Sequence, residues 1–142
     1  CEYYEAPASE RGVSLSTVAP NQPVFAQLDR TLLQRAVGNL ISNALAHTPP
    51  GKSVVLGASA ESAAVRIEVS DTGVGIPPEA LPRVFDRFFR VDPSRSQTSG
   101  ESGLGLAIVQ SIMQLHGGNV EIASKVGQGT QVTLRVPMSP AA

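Results

Sequence analysis

The stretch Asp29-Arg30-Thr31-Leu32-Leu33-Gln34-Arg35-Ala36-Val37-Gly38-Asn39-Leu40-Ile41-Ser42-Asn43-Ala44-Leu45-Ala46-His47 carries two interleaved patterns. Its apolar residues recur as Leu32, Ala36, Leu40, Ala44 and as Leu33, Val37, Ile41, Leu45. That is the period of a helix with one core-facing stripe. Asp29 reads as its N-cap, and Pro49-Pro50-Gly51 stops it after about His47. Beside the apolar stripe, Arg35, Asn39, Asn43 and His47 share i, i+4 spacing and so form a polar one. Asn is a poor interior helix former, so two at one spacing ask for a reason. Neutral amides suit a magnesium ion already held by phosphates, because the amide oxygen is a ligand that adds no charge to repel the polyphosphate. The plain alternative is an exposed helix face.

Outward from this helix, β-type runs precede it at 12–19 and 24–27. Two strands follow it, Ser53–Ala60 and 64–70, the second alternating Val65, Ile67 and Val69. A short helix is expected over 78–86, then a polar, Ser- and Gly-rich loop over 90–102. The last helix spans 104–115, with Leu104, Ile108, Ile112 and Leu115 inward, and Gly117-Gly118 ends it. Closing strands at Asn119–Lys125 and 130–137 meet at Gly127-Gln128-Gly129. These elements predict one α+β domain over 1–142. It is a two-layer α/β sandwich, a mixed sheet of about five strands packed on about three helices.

Composition narrows the function. The chain has 142 residues, 42% hydrophobic and 16% charged, which suits a globular domain with a proper core. A net charge of −1 gives no global basic field, which argues against nucleic acid as a partner. Arg83, Arg87, Arg90 and Arg95 do cluster, either around an anionic ligand or on a solvated face. The single cysteine, Cys1, excludes an internal disulfide framework and a Cys-based zinc site. No apolar run reaches membrane-spanning length and no signal peptide is visible. The opening Cys1-Glu2-Tyr3-Tyr4 starts mid-pattern, as in a fragment of a longer protein.

Chemistry concentrates at Asp71-Thr72-Gly73-Val74-Gly75-Ile76, where a strand ends. A carboxylate there can accept a hydrogen bond from an exocyclic amine, worth about 1.5–3 kcal/mol. Gly73 and Gly75 would let the backbone approach a flat ring. A plain strand-to-turn junction is the alternative. Asp-Thr-Gly is also the aspartic-protease triplet, but that chemistry needs two carboxylates sharing a proton. No second triplet exists here, and the chain carries too much helix for a dimer to supply one.

Gly100-Glu101-Ser102-Gly103-Leu104-Gly105-Leu106 enters the last helix, where freed backbone N–H groups and the helix dipole favour phosphate. It fails as a dinucleotide fingerprint, since no strand precedes it and Ile108 replaces the third glycine. Ala46-His47-Thr48-Pro49-Pro50-Gly51-Lys52-Ser53 imitates a P-loop. It follows a helix, opens a strand and contains two prolines without N–H groups, so it is rejected. His116, before Gly117-Gly118, reads as a helix C-terminal residue. Neither it nor His47 is set as a phospho-acceptor.

In order and spacing these segments resemble the nucleotide-binding boxes of the histidine-kinase branch of the GHKL ATPases. Asn39-Leu40-Ile41-Ser42-Asn43-Ala44 resembles the N box and Asp71–Ile76 the first glycine box. Phe85-Asp86-Arg87-Phe88-Phe89-Arg90 resembles the F box. Gly103-Leu104-Gly105-Leu106-Ala107-Ile108-Val109 resembles the second glycine box, and Gly129-Thr130 a last one. The likeness runs from about Gly12 to Pro137.

The resemblance implies a Bergerat-type sandwich binding ATP under a flexible lid, about 78–102. It implies that Asp71 takes the adenine amine directly and through water near Thr130, within a cofactor site that includes His47, Gly73, Gly75 and Ile76. Asn43, helped by Asn39, would hold Mg2+. Arg90 would face the phosphates as a catalytic group with Asn39 and Asn43, Phe85 and Phe88 would anchor the lid, and Gly103, Leu104, Gly105 and Leu106 would line the phosphate end.

The implied reaction passes the γ-phosphoryl group to a histidine on the kinase's own dimerisation domain, for relay to a response regulator. The implied setting is the cytoplasmic part of an inner-membrane-anchored sensor kinase, monomeric alone and homodimeric in its parent.

Two departures stand out. Many members carry Lys or Arg where this chain has Ala46, so Lys52, an arginine or His47 would have to replace it. Gyrase-, Hsp90- and MutL-type relatives place a hydrolytic Glu where this chain has Arg35, which points away from direct hydrolysis. Ala46 also leaves open a nucleotide-gated binding module, an anti-sigma serine kinase type or a pseudokinase. The run 35–45 with Thr48-Pro49 resembles the heavy-metal-responsive subgroup.

Overall fold

The structure is a computed structural model that describes residues 9–10, 12–18, 29–60, 64–85 and 105–137. Asp29, in an extended backbone conformation, accepts the Leu32 N–H on its side chain and starts helix α1, Arg30–Ala46. That bond satisfies one of the helix's orphan donors. The buried face of α1 is Ala36, Leu40, Ile41, Ala44 and Leu45, with Leu32, Leu33 and Val37 half-buried beside them. The two apolar rows of the sequence are thus one stripe.

The strands are β1 (Ser14–Val18), β2 (Ser53–Ala60), β3 (Ala64–Asp71), β4 (Asn119–Lys125) and β5 (Gly129–Pro137). They form one sheet in the order β1-β2-β3-β5-β4. Among the described strands the β1–β2 pair is parallel, and the β2–β3, β3–β5 and β4–β5 pairs are antiparallel. Helix α2, Gly105–Leu115, lies with α1 on the sheet. Val54, Val69, Val132, Leu134 and Val136 from the strands meet Val109, Ile112 and Met113 from α2 in a single core. The expected mixed sheet under helices is the observed architecture. The run expected at 24–27 lies outside the described residues.

Two expectations need correction. Over 78–86 the described part is a turn and a 3-10 segment, Leu81–Arg83, with a proline at its start. Pro77, Pro78 and Pro82 lack the N–H groups that an α-helix would bond. Among the described residues the α-helices that pack on the sheet are α1 and α2. In α2, Leu115 is 76% exposed, whereas Ile112 is buried and Ile108 half-buried against the core as expected, with Val109 and Met113 buried beside them. The last turn of α2 closes in a Schellman arrangement, with Gly118 N–H on Met113 O at 2.9 Å, Gly117 N–H on Gln114 O at 3.1 Å and Gly117 at φ 69°. His116 takes the C-terminal role expected of it, its Nδ1 lying 2.8 Å from the Ile112 carbonyl.

Candidate functional site

Sheet register assembles the site. Asp71, the last residue of β3, pairs with Thr130 on β5, and Thr130 pairs in turn with Ser124 on β4. Directly opposed residues project from the same face. Asp71, Thr130 and Ser124 therefore form one polar row across three strands, on the same side as Val69, Val132 and Ile122. The row ends the apolar core as a half-buried floor.

Two backbone donors converge on one oxygen of Asp71. Gly73 N–H reaches Oδ1 at 2.9 Å and Thr130 N–H reaches it at 3.2 Å. Among the described residues both backbone donors fall on Oδ1, which leaves Oδ2 as an acceptor for an incoming donor. Burial pushes the Asp71 carboxyl above its usual range, against the Gly73 and Thr130 N–H groups and nearby His47, which pull it down. The two N–H dipoles offset part of that penalty without cancelling it.

The loop after Asp71 is clamped on both sides. Val74 N–H donates to the His47 carbonyl at the end of α1 at 3.2 Å. Gly127 N–H donates to the Val74 carbonyl at 2.9 Å, and Ile76 N–H to Ser124 Oγ at 2.7 Å. At the loop's root, Ser53 N–H donates to Thr72 Oγ1 and Thr72 N–H to Ser53 O, each at 3.0 Å. A Cβ at Gly73 would overlap the His47 carbonyl oxygen, and one at Gly75, where φ is 76°, would overlap that of Lys125. In the described chain, the close approach these glycines permit is to the protein's own backbone.

The other expected site residues divide by element. Asn39 and Asn43 are half-buried on α1, on the stripe that leads to His47. Arg35, lower on that stripe, is exposed. Among the described residues no group of three or more His, Cys, Asp or Glu could hold a metal ion. Magnesium keeps several waters and takes few protein ligands beside substrate phosphates. Asn39 and Asn43, one helical turn apart on α1, are side chains of the kind that would meet that need. Gly105 opens α2 and Leu106 packs half-buried against the core, so any part Leu106 plays with a ligand falls to its backbone. Ile76 is buried, with its N–H already given to Ser124. Phe85 is half-buried. Phe88, Arg90, Gly103 and Leu104 lie outside the described residues.

The rejected P-loop look-alike is structural. Gly51 N–H donates to Gly12 O at 2.8 Å, and Ser14 N–H to Lys52 O at 3.0 Å, tying this turn to β1. Sequence reasoning missed Ser124, which bridges the Asp71 loop and β5. Its only signal was a serine facing Thr130, visible once the strand register is known.

Comparison with known proteins identifies the family. Residues 28–140 match the model of the histidine kinase-, DNA gyrase B- and HSP90-like ATPase family. The chain is 43% identical over 136 residues to the sensor histidine kinase CusS of Escherichia coli, covering 96% of this chain and 28% of CusS. It is 47% identical over 109 residues to the sensor-like histidine kinase SenX3 of Mycobacterium tuberculosis, covering 77% of this chain and 27% of SenX3. The chain thus spans under a third of the length of these relatives. The crystal structure of full-length ShkA in complex with AMPPNP superposes with a TM-score of 0.86 at 31% identity, covering 99% of this chain and 29% of that one. The mycobacterial sensor histidine kinase MprB superposes with a TM-score of 0.77 at 29% identity, covering 99% and 92%. A family match over most of the sequence and a mixed sheet under two helices shared with these solved structures agree: the chain belongs to the histidine kinase-, DNA gyrase B- and HSP90-like ATPases.

Proposed function

We propose that this chain is the ATP-binding catalytic domain of a sensor histidine kinase, donating the γ-phosphoryl group of ATP to a histidine on a separate dimerisation domain. The observation that carries the proposal is Asp71, whose Oδ1 is fixed by two backbone N–H groups while Oδ2 stays available to an exocyclic amine. The kinship with CusS and SenX3, both sensor histidine kinases by name, supports the transfer reaction over hydrolysis. So does Arg35, which stands on α1 where a water-activating carboxylate would be needed.

In this reading Asp71 Oδ2 would accept from the adenine amine, and residues of α1 and the start of α2 would hold the triphosphate. Asn39 and Asn43 would hold magnesium, which neutralises the phosphate charge. The N-terminal dipole of α2 favours the same anion. The imidazole nitrogen of the acceptor attacks the γ-phosphorus in line. An N–P bond forms, the bond to the β,γ-bridging oxygen breaks, and ADP leaves with that electron pair. This domain supplies position and electrostatics, the partner domain the nucleophile. ATP with Mg2+ is the proposed cofactor pair. A response regulator is the proposed onward acceptor, and the cytoplasmic face of a membrane-anchored kinase the proposed setting.

The test is calorimetric titration with magnesium and an ATP analogue, followed by incubation with ATP and a competent histidine-bearing dimerisation domain. Saturable binding and an acid-labile phosphohistidine on the added domain are expected. No binding, or binding with a persistently unlabelled acceptor, would overturn the proposal.

A further inference from the structure

Ser124 Oγ makes three polar contacts, and its single proton can serve only one. Ile76 N–H lies 2.7 Å away and can only donate, so Ser124 accepts from it. The Gly129 carbonyl lies 3.0 Å away and can only accept, so Ser124 spends its proton there. The third contact, Thr130 Oγ1 at 2.7 Å, must then be donated by Thr130. Each hydroxyl has one hydrogen, and this assignment satisfies all three contacts at once. Thr130 is left with acceptor capacity only, half-buried and directly across the strand from Asp71.

We propose that Ser124 is a specificity-determining positioning residue, which holds the Thr130 hydroxyl as an acceptor so that the floor favours a 6-amino over a 6-oxo purine. The inference rests on the purine reading of Asp71 given above and extends it to a residue that reaches no ligand itself. With Asp71 Oδ2 and Thr130 Oγ1 both accepting, directly or through one water, a 6-amino group meets two partners. A 6-oxo group at the same place meets two lone pairs. Without the Ser124 hydroxyl, Thr130 can turn its O–H outward and donate to the oxo group, while still accepting from an amine.

The experiment measures ADP and IDP affinities of the 142-residue chain by calorimetry for wild type, Ser124→Ala, Thr130→Val and the double variant. The readout is the ADP-to-IDP affinity ratio, because loss of the Ile76 tether alone would weaken both nucleotides together. Ser124→Ala is expected to narrow the ratio by about fivefold, the size of one neutral hydrogen bond. Thr130→Val is expected to narrow it as well, and adding Ser124→Ala to Thr130→Val should change it no further. An unchanged ratio in Ser124→Ala, or in Thr130→Val should Ser124→Ala not fold, overturns the inference while leaving ADP binding intact. A wild-type chain that binds neither nucleotide would instead sink the purine reading on which the inference rests.

Discussion

The backbone N–H of Asp29 donates to Nε2 of His116 at 2.8 Å, joining the start of α1 to the end of α2 across 87 positions of sequence. Since Nε2 accepts, the ring proton sits on Nδ1, which donates to the Ile112 carbonyl at 2.8 Å. One imidazole thus caps α2 and anchors α1, while the Asp29 side chain caps α1 from within. His116→Ala should lower unfolding free energy in urea by about 1 kcal/mol, the net worth of such bonds. Nucleotide affinity should stay at the wild-type value, because the bond lies away from the Asp71 floor. A large loss of affinity with unchanged stability would contradict this division.

Asp71→Asn separates stability from binding. Burial raises the folded-state pKa of Asp71, so the folded protein carries the charged form at a cost. The stability linked to this group is fully present below the unfolded carboxyl pKa and is lost as pH rises through the raised folded value. Asn keeps an acceptor for Gly73 and Thr130 without the charge. At neutral pH the variant should melt at or above the wild type, and the difference should vanish in acid. Its ADP affinity should fall about tenfold or more, as expected for a lost charge-assisted bond. Paired thermal melts and titrations check both halves.

The same displacement sets a pH profile for binding. ADP affinity should decline on acidification at a pH above the usual carboxylate range, as Oδ2 gains a proton and stops accepting. In Asp71→Asn that inflection should disappear, as calorimetry in a pH series would show.

Glycines at the β4–β5 turn make a paired test. Gly127 has φ 82° with open space at its Cβ position, so Gly127→Ala should cost about 1 kcal/mol of backbone strain. Gly129 has φ 125°, and its Cβ would overlap the Asp71 carbonyl oxygen and crowd the Thr72 backbone. Gly129→Ala should cost about 3 kcal/mol or more, with loss of ADP binding, since β5 must back away from β3. Equal melting temperatures for the two variants would refute this.

Asn43→Ala should act through the metal. ATP-analogue affinity should drop in magnesium and match the wild type in EDTA, whereas Asp71→Asn should weaken binding in both.

Much of this architecture follows from period alone. The α1 stripe and the alternation of β3 each admit one buried face, and the Asp29 cap and Gly117-Gly118 stop fall where their chemistry demands. Helix α2 was less legible, because Leu106, Ile108, Val109, Ile112, Met113 and Leu115 supply more than one apolar stripe. The sheet chooses Val109, Ile112 and Met113, and Leu115 turns outward in the last turn. The site shows the same divide. Asp71 is conspicuous where a strand meets a glycine-rich turn, but Ser124 becomes meaningful only when two strand pairings bring it beside Thr130. Composition likewise could not tell that Gly73 and Gly75 make room for His47 and Lys125 carbonyls.

Strand β5 follows β4 in sequence yet is inserted between β3 and β4. On a ribosome, β4 would emerge with no strand to pair with, and Asp71 would wait without its Thr130 donor until β5 cleared the exit tunnel. In the proposed reading, nucleotide could not reward a chain halted before β5, because Asp71 would lack one of the two N–H groups that fix its carboxylate.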